Sequence, residues 1–231
     1  MRELPTALAL AFGQLTDPAI LRVLTKTMAI TLAIFLALGW LASLGFDAVL
    51  RQYGGRFGLA GEGGVAALLA ILLMLVAGWL LFRLVALAVL QFFAEDVVRA
   101  VEARHYPRQA AMVREIPLAE NLRHSAGQTL RALLANAAAL PVAAVLAPTA
   151  IGAPAVFLLV NAVLLGRELQ DMVWLRHRHD RGSDAPLGKP TRFALGGIVA
   201  AMLAVPFVNF IAPVVGAAAA THMVHRRLSL A

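Results

Sequence analysis

The sequence contains no cysteine and few charged residues. Without cysteine the chain can form neither disulfides nor thiolate metal sites, and no thiol can act as a nucleophile. Charged residues make up 14% of the chain, whereas soluble domains carry about 25%. Hydrophobic residues make up 61%, and the mean hydropathy is +0.79. We therefore expect an all-α integral membrane protein.

Recognisable catalytic patterns are also missing. The sequence shows no nucleophile with a matching base, no P-loop and no dinucleotide fingerprint. We therefore expect no enzyme activity and no cofactor. The formal net charge of +7 does not indicate a nucleic-acid partner, because the basic residues are dispersed among acids and flank apolar runs.

Two apolar runs are long enough to cross a bilayer. Thr27 to Phe46 and Gly63 to Phe82 are 20 residues each, which is about 30 Å of helix and matches the hydrocarbon thickness. The second run stays apolar through Ala94, apart from Arg83. Arg83 is either a functional intramembrane charge or an arginine that snorkels to the headgroups, and we favour snorkelling.

Two further charge-free runs, 132–166 and 193–221, are interrupted by proline and glycine in the same pattern. LPVAAVLAP at 140–148 matches VPFVNFIAP at 205–213, so that Pro141 corresponds to Pro206 and Pro148 to Pro213. The hairpin-tip residues that this repeat predicts are Pro141, Pro148, Gly152, Pro154, Pro206, Pro213 and Gly216. Such repeats point to helical hairpins whose tips lie at membrane depth.

The arms of these hairpins look too short to span. The charge-free arms 132–147 and 193–205 correspond to about 24 Å and 20 Å of helix, against about 30 Å of hydrocarbon. We therefore expect two half-penetrating hairpins beside two long transmembrane helices. The alternative is two pairs of ordinary helices joined by tight turns.

Basic residues predict the topology. The segments that would share one side hold 17 Lys and Arg residues, against Arg51 and Arg56 in the opposite loop. Both termini are therefore expected to be cytoplasmic.

The run VPFVNFIAPVVGAAAATHMVHRR resembles the C-terminal part of the CysZ-type sulfate permeases, which belong to the etoposide-induced-protein domain family. AFGQLTDPAILRVL, QFFAEDVVRAVEAR and ELQDMVWLRH resemble other segments of that family in the same order. The resemblance implies a homo-oligomeric permease of the bacterial inner membrane that transports sulfate or a related small anion. It also implies an interfacial amphipathic helix over 1–22, spanning helices over 27–46 and 63–94, a cytoplasmic helical segment over 95–131, hairpins over 132–175 and 193–228, and a basic loop over 176–192.

Of the family's anion-binding residues, only Arg22 is carried over. The permeases have Gly-apolar-Arg-Arg where this chain has Ala19-Ile20-Leu21-Arg22. A non-transporting scaffold or regulatory protein of the same fold is therefore the alternative.

Side-chain amides inside the apolar runs are the other candidate anion ligands. Asn209 can bind an anion or act as an interhelical clamp, and for Asn136 and Asn161 the clamp is favoured. RHRHDR at 176–181 is interpreted as a basic juxtamembrane loop, because arginines between the histidines would repel a metal ion. His222 and His225 are likewise not expected to bind metal.

Overall fold

A computed structural model describes residues 3–53, 72, 76, 78–80, 94–178 and 183–229. Within them the α-helices are Glu3–Gly13 (α1), Pro18–Tyr53 (α2), 94–105 (α3), Pro107–Ala110 (α4), Leu118–Leu146 (α5), Gly152–His177 (α6), Lys189–Ala204 (α7) and Ala212–Leu228 (α8). Short 3-10 helices lie at Gln14–Thr16, Ala147–Thr149 and Val208–Phe210. No strand occurs in this described part, so the all-α prediction is confirmed.

The chain divides into two compact units, Met1–Leu21 with Ala94–Ala231, and Arg22–Phe93. Of the smaller unit the structure describes the rest of α2 and residues 72, 76 and 78–80, with Trp40 and Trp79 exposed. The predicted span 27–46 lies inside α2. Most of the predicted span 63–94, with Arg83, lies outside the described residues.

In the larger unit, α8 forms the centre. Every residue from Val214 to His225 is buried, and α1, α6 and α7 pack around it. A helix that is apolar and small on all sides is suited to such a position. The N-terminal segment is not one helix over 1–22, because it breaks at residues 14–17. α1 packs against α8, and its buried residues are Leu4, Ala7 and Ala11.

The contact between α6 and α7 is made by glycines. A Cβ on Gly196 would clash with the carbonyl oxygen of Ala162 and would lie 2.8 Å from Gly166 Cα. A Cβ on Gly166 would lie 2.6 Å from the carbonyl carbon of Arg192. The two backbones therefore touch, as small residues allow in membrane bundles.

Among the described residues, two helices are long and apolar enough to cross a membrane, namely Leu118–Thr149 (α5 with the turn that follows it) and α6. α5 begins at Leu118, within the predicted cytoplasmic helical segment, continues through the charge-free arm that starts at Ala132, and has 29 residues. This length is about 43 Å. Half-penetration of the hairpins stays a prediction.

The two hairpins extend different distances from one end of the larger unit. We call this end the base, and it holds the ends of α6 and α8. His177, at the end of α6, and His225, near the end of α8, meet edge to face with ring centroids 4.7 Å apart. Farther along, a Cβ on Gly216 of α8 would lie 3.2 Å from Leu169 of α6, so the helices run parallel and in register. From the histidines α6 extends about 38 Å to Gly152, whereas α8 extends about 20 Å to Ala212.

Candidate functional site

Four polar side chains, two of them buried and two partly buried, meet at the base of the larger unit, and we refer to them as the Glu102 cluster. Glu102 lies on α3, Arg176 and His177 end α6, and His225 is on α8. Their side chains expose 1%, 15%, 6% and 0% of their surface. On α3, Val97, Val98 and Val101 are buried, and Glu102, one helical turn after Val98, faces the same interior.

Glu102 accepts hydrogen bonds from two imidazoles. Its Oε1 lies 2.8 Å from His177 Nε2 and 3.1 Å from His225 Nε2. Its Oε2 lies 3.5 Å from Nη1 of Arg176. Burial alone would raise the pKa of Glu102, but the hydrogen bonds from His177 and His225 and the charge of Arg176 lower it to about 2. The carboxylate is therefore ionised at neutral pH.

A second group of side chains adjoins the cluster, and we call it the Gln14 network. Gln14 Nε2 lies 2.8 Å from Nε2 of His105 and 2.8 Å from Nε2 of His222. His222 Nδ1 lies 2.9 Å from the Tyr106 hydroxyl. The Tyr106 ring stacks on His225 at 4.6 Å, which links the network to the Glu102 cluster.

The network fixes the tautomer of His222. With the Gln14 amide nitrogen as donor, Nε2 of His222 accepts, so the proton is on Nδ1 and is donated to Tyr106. Burial, with His105 and Arg226 nearby, lowers the pKa of His222 to about 4. The buried imidazole is therefore neutral at pH 7.

A pocket of about 210 Å³ opens beside this network. Its lining residues are Gly13, Gln14, Thr16, Asp17, Pro18, Arg104 and His105. Asp17 forms a salt bridge with Arg104 and also caps α2, since its Oδ1 accepts from the N–H of Ala19 at 3.1 Å. The pocket therefore lies at the start of α2 and is lined by charged and polar groups.

The tip of the second hairpin carries the VPFVNFIAP run. α7 ends at Ala204, Asn209 lies in the 3-10 turn, and α8 starts at Ala212 with Pro213 in its first turn. Phe207 has a φ of 65° and is 85% exposed. The Asn209 Oδ1 is buried and has no hydrogen-bond partner among the described residues.

A family model for Sulfate transporter CysZ/Etoposide-induced protein 2.4 matches residues 7–213. The chain belongs to this family. The predicted resemblance is confirmed, and with α5 and α6 it shows a membrane protein. No match is found among curated proteins.

The CysZ/etoposide-induced fold places most of the predicted tip residues in the turns. Pro148 lies in the 3-10 turn, Gly152 begins α6 and Pro154 follows in its first turn. Pro206 lies between α7 and the 3-10 turn at Val208, and Gly216 follows in the second turn of α8. Pro141 is a correction, because it lies inside α5 and the helix continues to Leu146. A proline removes one backbone donor, and a membrane helix can tolerate this loss.

The candidate amides are also revised by the structure. Asn136 and Asn161 donate to the carbonyl oxygens of Ala132 and Phe157, four residues earlier in the same helix. Neither bond is an interhelical clamp. Arg22, in the smaller unit, is exposed on α2.

The basic-loop interpretation of 176–181 is wrong for its first two residues. Arg176 and His177 still belong to α6 and are turned inward to Glu102. Arg178 binds Glu120 Oε1 at 2.6 Å, and residues 179–181 lie outside the described residues. Two ion pairs one helical turn apart also occur, Glu95 with Arg99 at 3.8 Å and Arg167 with Asp171 at 3.6 Å.

Sequence reasoning missed the Glu102 cluster. Glu102 is 75 residues from His177 and 123 from His225. The one local indication was the i, i+3 spacing of His222 and His225 on an otherwise apolar helix, which turns both imidazoles to one side.

Proposed function

We propose that this chain is a permease of the bacterial inner membrane for sulfate or a related small anion. The observation that carries the proposal is the position of Asn209, at a broken tip between two short helices in a chain of a sulfate-transporter family. Transport, the substrate and the inner-membrane location belong to this proposal.

The second tip has the chemistry that a dehydrated anion needs. No side chain caps the start of α8, so backbone N–H groups and the positive end of the helix dipole are available there. The tip carries no formal charge, so no fixed carboxylate repels an anion. The Asn209 amide adds a side-chain donor.

The height difference between the hairpins supports a tip at membrane depth. α6 reaches about 18 Å farther than α8 from the common base, and the hydrocarbon core is about 30 Å thick. If the first hairpin crosses the hydrocarbon, the second tip lies near the middle. A broken backbone at that depth must be covered by protein or line a water-filled cavity, because lipid cannot satisfy its polar groups.

The orientation that we propose has both termini and the base in the cytoplasm. The excess of 17 basic residues over two supports it. The Glu102 cluster and the Gln14 network would then face the cytoplasm. Arg22, exposed and near the start of α2, would attract anions at the cytoplasmic mouth. We further propose a homo-oligomer and no enzyme activity.

Uptake of radiolabelled sulfate into proteoliposomes tests this function. We expect uptake above protein-free liposomes and a reduction in Arg22→Ala, because an exposed arginine acts on the anion rather than on the fold. Arg108→Ala, which removes an exposed arginine elsewhere, is the matched control and should retain uptake. No uptake by the parent, with a folded protein in the membrane, would instead favour the scaffold.

The second candidate is a non-transporting scaffold or regulatory protein of the same fold. It is supported by Ala19-Ile20-Leu21-Arg22, which has only one of the two arginines of the family motif. The same segment suggests a gain-of-function test. Ile20 is 2% exposed, whereas Leu21 is 44% exposed, so an arginine at position 21 can reach solvent. Leu21→Arg should raise sulfate uptake if the second arginine of the motif is the missing element. Unchanged uptake in Leu21→Arg, with an active parent, would show that the pair of arginines is not required.

A further inference from the structure

Three potential metal ligands converge inside the base of the larger unit. We propose that Glu102, His177 and His225 form a binding site for a divalent transition-metal ion of the zinc type. Within the larger unit, the site lies at the opposite end of α8 from the second tip with Asn209.

The geometry is close to that of a metal centre. Each residue offers one ligand atom, and these atoms lie within 4.8 Å of one another. Zinc binds imidazole nitrogen and carboxylate oxygen at about 2.0 to 2.2 Å, so its ligand atoms lie about 3 to 3.5 Å apart. The distances from Glu102 Oε1 to the two Nε2 atoms, 2.8 and 3.1 Å, already approach this spacing.

The three ligands are held by different helices. Glu102 comes from α3, His177 from the last turn of α6 and His225 from α8. All three side chains are more than nine-tenths buried. A set of donors fixed in this way needs little ordering on binding, and three protein ligands leave a fourth position open for water or another small ligand.

Arg176 and the metal would use different oxygens of the Glu102 carboxylate. It lies 3.5 Å from Oε2 of Glu102, so Oε1 remains available to the metal while Arg176 orients the group from the other side. Outer partners of this kind commonly position metal-binding carboxylates. The guanidinium also repels a cation, so we expect weaker binding than at a structural zinc site without a neighbouring arginine.

A metal-free arrangement is the competing explanation, with both imidazoles donating N–H to Glu102. In that state the Nε2 of His225 carries a proton that it donates to Glu102, and the Nδ1 is buried without a partner. When Nε2 instead binds a metal, it carries no proton. The two states therefore differ in whether Nε2 of His225 is protonated, which nitrogen-15 NMR of histidine can distinguish.

Zinc titration of the full chain in detergent tests the proposal. After removal of metal with a chelator, we expect calorimetry to show one zinc ion per chain. Glu102→Gln and His225→Asn should weaken zinc binding by about 100-fold or more, beyond the 10- to 100-fold loss typical of outer partners. His222→Asn, which removes an equally buried histidine one turn away on α8, is the matched control and should retain binding.

Two further measurements and a third variant test the proposal if Glu102→Gln or His225→Asn does not fold. Zinc that binds only the folded parent should raise its melting temperature, and cobalt substitution should give a visible absorption band typical of a tetrahedral site. His177→Asn, at the end of α6, is the replacement variant and should abolish both. A parent that binds no zinc, or zinc binding that survives in His177→Asn, would overturn the proposal.

Discussion

The glycine contact between α6 and α7 allows a stability prediction with an internal control. Gly196 and Gly197 are neighbours inside α7, but their surroundings differ. A Cβ on Gly196 would clash with backbone atoms of α6, whereas one on Gly197 would meet only the Ala162 Cβ at an ordinary 3.6 Å. Replacing either by alanine adds the same methyl group to the same helix.

The expected magnitudes follow from two contributions. Alanine in place of a helix-interior glycine stabilises by about 0.5 to 1 kcal/mol, and this gain is common to both variants. Overpacking typically costs about 1 to 3 kcal/mol, and it applies to Gly196→Ala alone because backbone cannot rotate away. Gly197→Ala should therefore be more stable than the parent, and Gly196→Ala less stable than Gly197→Ala by about 1 to 3 kcal/mol.

Equilibrium unfolding in mixed detergent micelles, followed by tryptophan fluorescence, measures this difference. Gly166→Ala should resemble Gly196→Ala, since its Cβ would meet the backbone of Arg192. The double variant should lose less than the sum of the two, because one separation of the helices relieves both clashes. Equal stability of Gly196→Ala and Gly197→Ala would refute the direct backbone contact.

Three further predictions concern the polar base, the second tip and the topology. The unfolded state binds more protons at His222, whose pKa is depressed to about 4, so stability should fall by about 1 to 2 kcal/mol as the pH drops from 6.5 to 4.5. His222→Gln should flatten this slope in thermal melts across that range, and an unchanged slope would assign it to other groups. Asn209→Leu should change the free energy of unfolding by less than about 1 kcal/mol, because the Asn209 Oδ1 makes no hydrogen bond to lose. A loss of about 1 to 3 kcal/mol in detergent would instead indicate a hydrogen-bonded amide, as in the interhelical clamp that the sequence left open. A cysteine at Ser183, in this cysteine-free chain, should react with impermeant reagents only after the cells are opened, and labelling in intact cells would reverse the proposed orientation.

The sequence predicted helices and the break at the second tip because charge-free runs and prolines are local features, but it did not predict the break at residues 14–17. Charge-free runs predicted where helices lie, and Pro206 and Pro213 bracket the observed second tip. Proline alone did not locate the first hairpin tip, because Pro141 lies inside α5 without ending the helix. The continuity of α5 across residue 131 was not predicted, because Arg123 and Arg131 interrupt the apolar pattern although the backbone stays helical.

The buried base could not be predicted because its residues meet only through tertiary packing. No local period relates Glu102 to His177 or His225. A run of arginine and histidine is also typical of a solvated loop. In the structure, however, α6 continues into this run and turns Arg176 and His177 inward. The glycine contact was missed for the same reason, since Gly166 and Gly196 are neighbours only after the helices pack.

The packing of α1 against α8 has a consequence for biosynthesis. The ribosome makes α1 about 200 residues before α8, and at about 5 to 20 residues per second this delay is about 10 to 40 s. During that interval Leu4, Ala7 and Ala11 lack the helix that finally covers them, and the membrane surface is a suitable shelter for their apolar face. A nascent chain that stops before α8 also leaves Glu102 without His225, so an incomplete product carries an exposed apolar face and a poorly paired carboxylate, both features that quality-control proteases can recognise.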